Sequence, residues 1–243
     1  MTKGICRSWI LIVMSIWIRL TADVTGEIPE LRDVRLRVLS WSGTVEGVLL
    51  RKAPVPDAEW VPVLAVDYVR SSFVEVKTGP DLVFFRWEEQ PDGTRVAVED
   101  GRVKVEGLAE PFLILITAQR GGGRTYQALS ESLEDFPSGA YRFFNASQSA
   151  VVVRAGETRQ SLPAGRIATL VPVMDGASVG VLIQLAGMVD GEPRLVYSNR
   201  LARRENQRLL FFIRDAHRGR SRYEVKRISD STRHLFPGAA SQP

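Results

Sequence analysis

Gly176-Ala177-Ser178-Val179-Gly180 fits a G-x-S-x-G step. Such a step exposes a serine nucleophile where a strand turns sharply into a helix. Here Val181-Leu182-Ile183 continues as a strand, and Asp215 and His217, the acid and base that would complete a triad, stand two residues apart at one strand end. A hairpin turn is therefore expected. Asp81 with Glu88 and Glu89 offers the two carboxylates that glycoside hydrolysis sets across a cleft. Glu88-Glu89-Gln90-Pro91-Asp92-Gly93, however, reads as a solvated hairpin tip. Two histidines (His217, His234) and one cysteine (Cys6) are too few for a transition-metal site. Gly121-Gly122-Gly123 follows a strand and lacks the Lys-Ser/Thr pair of a phosphate loop. No nucleophile, base and orienter converge, so a non-enzymatic chain with no cofactor, no metal and no catalytic residue is expected.

Two sets of residues point instead to binding. Trp41, Trp60, Trp87 and Tyr68 could form a sugar-stacking platform, although aromatics in a small all-β unit usually fill its core. Arg200, Arg203, Arg204, Arg208, Arg214, Arg218, Arg220 and Arg222 fall within 23 residues, with Glu205 and Asp215 the only acids among them. Guanidinium groups bind carboxylate and phosphate bidentately. The expected contacts with an anion or partner are Arg200, Arg203, Arg204, Arg208, Arg218, Arg220 and Arg222. Nucleic acid is not expected, because aromatics do not interleave with the arginines. Residues 23–136 hold 13 basic and 20 acidic side chains and residues 137–243 hold 16 and 8, so the halves carry −7 and +8. The partner is then another protein, an anionic envelope polymer, or the acidic half itself, within or between molecules.

The elements that must position these residues are strands. With 44% hydrophobic and 25% charged residues, the 243-residue chain has a globular composition. Its length allows one large domain or two small ones. Period-two alternation dominates from residue 32, as in Arg35-Leu36-Arg37-Val38. Thr94–Val98 and Arg102–Val105 also alternate, and Asp100-Gly101 between them predicts a hairpin turn. Further turns are expected at Ala155-Gly156, Asp175-Gly176, Asp190-Gly191 and Gly121–Gly123, and a helical turn fits within Gln127–Asp135. Phe112–Ile116 and Leu209–Ile213 read as strands buried on both faces.

Lys3 and Arg7 precede an apolar run from Trp9 to Ile18, which Arg19 ends. That run is short of the roughly twenty residues a spanning helix needs and fits the apolar region of a secretory signal. Cleavage is expected after Ala22 or Gly26. The mature chain would keep 29 basic and 28 acidic residues and no cysteine, so it would hold by packing alone. Contact with a membrane is expected only through this segment.

The chain also repeats. Phe112–Tyr126 lies over Leu209–Tyr223 at an offset of 97, with a five-residue apolar run, a Gly-containing turn and a Tyr in common. Arg37–Ser42 lies over Arg142–Ser147 at an offset of 105, in the same order. Phe136-Pro137-Ser138-Gly139 marks the seam between two units of about 100 residues, the usual size of an immunoglobulin-like sandwich. Within the second unit, Arg142-x-x-Asn145-x-Ser147, Val151-x-Val153 and Pro163-x-Gly165 resemble the strand and turn motifs of exported bacterial β-sandwich domains of unknown function. The resemblance implies fold and export, and it carries no catalytic residue. The first unit departs from that pattern after Trp41, where an insertion with Pro54, Pro56 and Pro62 replaces a short hairpin. The expectation is an all-β protein of two tandem β-sandwich, immunoglobulin-like units: a signal peptide at 1–26, units at 27–136 and 137–233, and a flexible tail at 234–243. Its expected role is that of a structural or interaction protein of the cell envelope or exterior. The alternative is a binding module for carbohydrate or an anionic envelope polymer.

Overall fold

The computed structural model describes residues 30–119, 121–173, 180–189, 192–202, 204, 206–216 and 222–233. The leader at 1–26 and the tail at 234–243 lie outside them, as do Ser178, His217 and the turns at Asp175-Gly176 and Asp190-Gly191. Among the described residues sixteen strands form four antiparallel or mixed sheets of four. Residues 32–130 carry β1 (Arg32–Ser40), β2 (Val45–Arg51), β3 (Trp60–Ala65), β4 (Val74–Thr78), β5 (Asp81–Glu89), β6 (Arg95–Lys104), β7 (Phe112–Ala118) and β8 (Arg124–Ser130). Residues 141–231 carry β9 (Tyr141–Asn145), β10 (Val151–Ala155), β11 (Thr158–Leu162), β12 (Ile167–Leu170), β13 (Gly180–Val189), β14 (Glu192–Ala202), β15 (Gln207–Asp215) and β16 (Tyr223–Ser231).

The two sets of eight have the same topology. The first half forms sheets β4-β1-β7-β8 and β3-β2-β5-β6, and the second forms β12-β9-β15-β16 and β11-β10-β13-β14. In each, the first strand runs parallel to the seventh: Leu36 faces Phe112 as Tyr141 faces Leu209. Those pairs reproduce both sequence offsets, 105 and 97, residue for residue. The tyrosines do not coincide: Leu113 faces Leu129 and Leu210 faces Ile228, an offset of 99, because the second hairpin is two residues longer. Pro54 and Pro56 of the Pro-rich insertion lie in the loop between β2 and β3, where the second half has only the Gly156 turn (φ 61°) between β10 and β11, while Pro62 lies within β3 opposite Leu49.

Alternation along the strands gives each sheet two faces, and three apolar clusters set the order of layers. Leu36, Val38, Leu50, Phe84 and Ile114 fill the space between the first two sheets. Phe143, Val153, Ile183, Phe211 and Ile213 fill the space between the last two. Leu39, Leu113, Leu115, Leu129, Phe144, Leu210 and Phe212 join β1, β7 and β8 to β9 and β15. The inner sheet of each half is therefore covered on both faces, which is why Phe112–Ile116 and Leu209–Ile213 are continuous apolar runs. Each outer sheet has one face toward solvent.

One turn expectation is corrected. Asp100-Gly101 lies inside the ten-residue strand β6, and the β5–β6 hairpin turns at residues 90–94, with Gly93 at φ 82°. Asp100 is the extra residue of a bulge between the pairs Phe84–Gly101 and Phe85–Glu99. Gly101 is needed for close approach: a Cβ there would lie 2.7 Å from the Tyr126 ring. The helical reading at 127–135 reduces to a single turn, in which Phe136 N donates to Ser132 O at 2.9 Å, because Gln127–Ser130 belong to β8.

Candidate functional site

Three places gather the side chains singled out by sequence. The first is the junction between halves. Arg37 Nε meets Glu131 Oε2 at 2.6 Å and Arg37 Nη2 meets Asp230 Oδ2 at 2.9 Å. Arg208 Nε bonds Asp230 Oδ2 at 2.9 Å, while its Nη1 donates to the Glu131 and Phe136 carbonyls, both at 2.8 Å. Arg142 donates to the Ser130 and Asp135 carbonyls, and Arg70 Nε approaches Glu131 Oε1 at 3.3 Å. Residues 131–140, which join the halves, thread through this network, and the Phe136 ring lies 4.2 Å from the Arg142 guanidinium and 4.6 Å from that of Arg208. Burial works to raise the Asp230 carboxyl, yet Arg70, Arg37 and Arg208 outweigh it and hold Asp230 below the ordinary carboxylate range. Burial lowers Arg142 to about 10. Around the charges lie rings: Trp41 packs 5.6 Å from Phe144, and Tyr68 packs 5.7 Å from Phe212, with burial pushing the Tyr68 phenol up to about 12.

Equivalent positions of the two halves meet here. Leu39 corresponds to Phe144, Leu113 to Leu210, Leu115 to Phe212 and Leu129 to Ile228, and every one of these lies in or against the junction core. The charges follow suit: Arg37 corresponds to Arg142, and Glu131, bonded to Pro111, corresponds to Asp230, paired with Arg208. One face of the shared topology meets its own copy, as in the isologous interface of a two-fold dimer.

The second place is the arginine stretch, which the structure divides. Arg208 is 0% exposed and belongs to the junction, not to the surface. Strand β16 returns antiparallel beside β15, so Asp230 stands opposite Arg208 and Glu224 opposite Arg214, with a bond of 2.7 Å in the latter. Arg222 donates to the Met188 carbonyl and the Ser149 hydroxyl. Arg200 Nη1 reaches Gly180 O at 3.4 Å. Arg204 lines shallow polar grooves of about 410 and 240 Å³ with Asn206, Gln207, Arg227 and Arg233. Arg203, Arg218 and Arg220 lie outside the described residues. The acids that neutralise Arg208 and Arg214 lie just beyond the stretch and reach them through strand register, so the composition of the stretch itself does not show them.

The third place is the outer face of the β3-β2-β5-β6 sheet. The four-member aromatic set splits, because Trp41 and Tyr68 serve the junction. Trp60 and Trp87 lie together, their rings 5.6 Å apart, and Phe85 adds a third ring 5.2 Å from Trp60. The Arg51 guanidinium lies 4.6 Å from the Trp60 ring centre.

The remaining candidates separate. Asp81 and Glu88 stand seven residues apart on β5, about 20 Å or more along an extended strand. Paired glycosidase carboxylates sit about 5–9.5 Å apart. Glu88 and Glu89 project to opposite faces, and Glu88 pairs with Arg86 at 3.0 Å. Gly180 opens the strand β13, not the helix that a nucleophile elbow requires. Asp215 accepts the Gln148 amide. Asn145, buried, donates to the Ser149 and Leu162 carbonyls and accepts from the Ser147 amide and hydroxyl, while the Gly165 amide donates to its carbonyl at 2.7 Å. The Asn-x-Ser and Pro-x-Gly parts of the motifs are thus tied together structurally, while Arg142 serves the junction. Ser40 and Ser42 repeat its central bond at the equivalent place in the first half. Among the described residues no His, Cys, Asp or Glu cluster could hold a metal, and no helix is long and apolar enough to cross a membrane. Comparison with protein-family models gives no match, and comparison with curated proteins gives none.

Proposed function

We propose that this is an exported, non-enzymatic structural or interaction protein of the cell envelope or exterior, built by duplication from two immunoglobulin-like β-sandwich units in tandem. The observation that carries the reading is the junction. A buried apolar core, flanked by a buried Arg37–Glu131–Asp230–Arg208 network in which Arg37 of the first half bonds Asp230 of the second, packs the two halves into one body. Such a body suits a spacer or a scaffold that presents its outer faces. Export rests on the short apolar leader and the absence of cysteine after residue 6. The test is the N-terminus of the native protein by mass spectrometry of cell fractions. A start near Asp23 or Glu27 in an exported fraction is expected; intact Met1 in a cytoplasmic fraction would sink the reading. A second reading, a ligand-binding module, is favoured by one observation: Trp60, Phe85 and Trp87 cluster on a sheet face that no element among the described residues covers.

A further inference from the structure

We propose that the outer face of the β3-β2-β5-β6 sheet is a binding site for an acidic polysaccharide, with a pyranose ring against Trp87 and Trp60 and a sugar carboxylate on Arg51. The inference rests on the ligand-binding reading and names its site and ligand class. Trp60, Arg51 and Phe85 alternate along their strands with the core residues Val61, Leu50 and Phe84, so they point away from the core. Trp87, two residues beyond Phe85, is 39% exposed, although a ring of this size is ordinarily withdrawn from water. A flat ring that is apolar on its face and half in solvent suits the C–H face of a sugar, whose hydroxyls stay wet at the rim.

Polar groups stand beside the rings. Next to Phe85 and Arg51, and toward the end of β5 away from Trp87, a groove of about 180 Å³ is lined by Pro54, Lys77, Thr78 and Asp81 with them. That is below the roughly 300–1,000 Å³ of pockets that enclose a whole drug-sized ligand, so it would seat one residue of a chain lying across the sheet. Arg51 is fixed by the bond of its Nη1 to the Val55 carbonyl at 3.1 Å and by its contacts with Trp60 and Phe85; its Nε is buried, so the η nitrogens are the donors a ligand would meet. A fixed guanidinium with spare donor capacity favours a carboxylate, and Asp81 can accept sugar hydroxyls. The equivalent outer sheet of the second half is an internal comparison. Its solvent face presents Val152, Arg154, Arg159, Gln184, Ala186 and Leu195, with no aromatic ring among the residues lining its groove. The shared topology therefore does not require the aromatic cluster.

The test is affinity electrophoresis of the full mature chain in gels containing polygalacturonate or neutral hydroxyethylcellulose. Polygalacturonate should retard the wild type, with at least tenfold weaker binding for Trp87→Ala and for Arg51→Gln. Trp87→Tyr should retain most of the affinity, and Leu195→Ala on the opposite outer sheet should be unaffected. Hydroxyethylcellulose should bind at least tenfold more weakly than polygalacturonate. Thermal midpoints matching the wild type establish that each variant is folded. Retardation by polygalacturonate that survives both Trp87→Ala and Arg51→Gln overturns the site and leaves the ligand-binding reading to another surface. Equal retardation by both polymers overturns the role of Arg51 toward a carboxylate. No retardation by either polymer overturns the site and removes the observation that favours the ligand-binding reading.

Discussion

Asp230 lies beside the guanidiniums of Arg37 and Arg208, and each of these side chains is buried. Truncating it would leave buried cations uncompensated, which typically costs about 3–5 kcal/mol. Asp230→Ala should lower the unfolding free energy by that amount in urea denaturation. The same group sets a pH dependence. Its carboxyl is held below the ordinary range in the folded protein, so the folded form takes up the proton less readily than the unfolded chain. Its contribution is complete above the unfolded value of about 3.9 and disappears as pH falls through the lower folded value. Melting temperature should fall steeply on acidification below about pH 4, and Asp230→Asn should flatten that fall. Gly101 makes a steric case. The Tyr126 ring stacks on Phe84 at 4.3 Å and its hydroxyl is bonded to Asp100, so it has little room to retreat from a new methyl. Gly101→Ala should cost about 1–3 kcal/mol by overpacking, again measured in urea.

Strand position decides how much a large side chain matters. Phe211 lies in β15, flanked by β9 and β16, and stacks on Phe143 at 4.9 Å. Leu195 lies on the edge strand β14 and is 60% exposed. Phe211→Ala should cost about 3–5 kcal/mol, whereas Leu195→Ala should stay within about 0.5 kcal/mol; paired denaturation curves check both. The elements also mark where sequence reading succeeds and fails. Phe112–Ile116 was legible as doubly buried because a strand with core on both sides has no polar face to show. Asp100-Gly101 misleads because the same dipeptide serves a turn and a bulge, and only the partner strand distinguishes them. Arg208 and Arg214 look unneutralised in sequence because their acids arrive on β16 through register.

For the molecule as a whole, the junction governs cooperativity. Leu210 and Phe212 each pack across it, and the Glu131 carboxylate bonds Arg37 while its carbonyl accepts from Arg208. The full chain should therefore unfold in one calorimetric transition. Leu210→Lys places an unpaired charge in the dry core of the junction, which burial penalises strongly. It should split the transition in two while leaving the cores within each half intact. A single unaltered transition in that variant would disprove the coupling.

What the sequence by itself determined is the strand content, the doubly buried runs and the pair of offsets between halves, because these follow from side-chain period and composition. Tertiary structure alone decided that the equivalent faces turn toward each other, that four arginines and two acids lie buried between them, and that Trp60 and Trp87 part company with Trp41 and Tyr68. A strand's sequence records that a face is apolar, but not which of several apolar faces will cover it. That choice is made by long-range pairing, in which residues as far apart as Arg37 and Asp230 become neighbours.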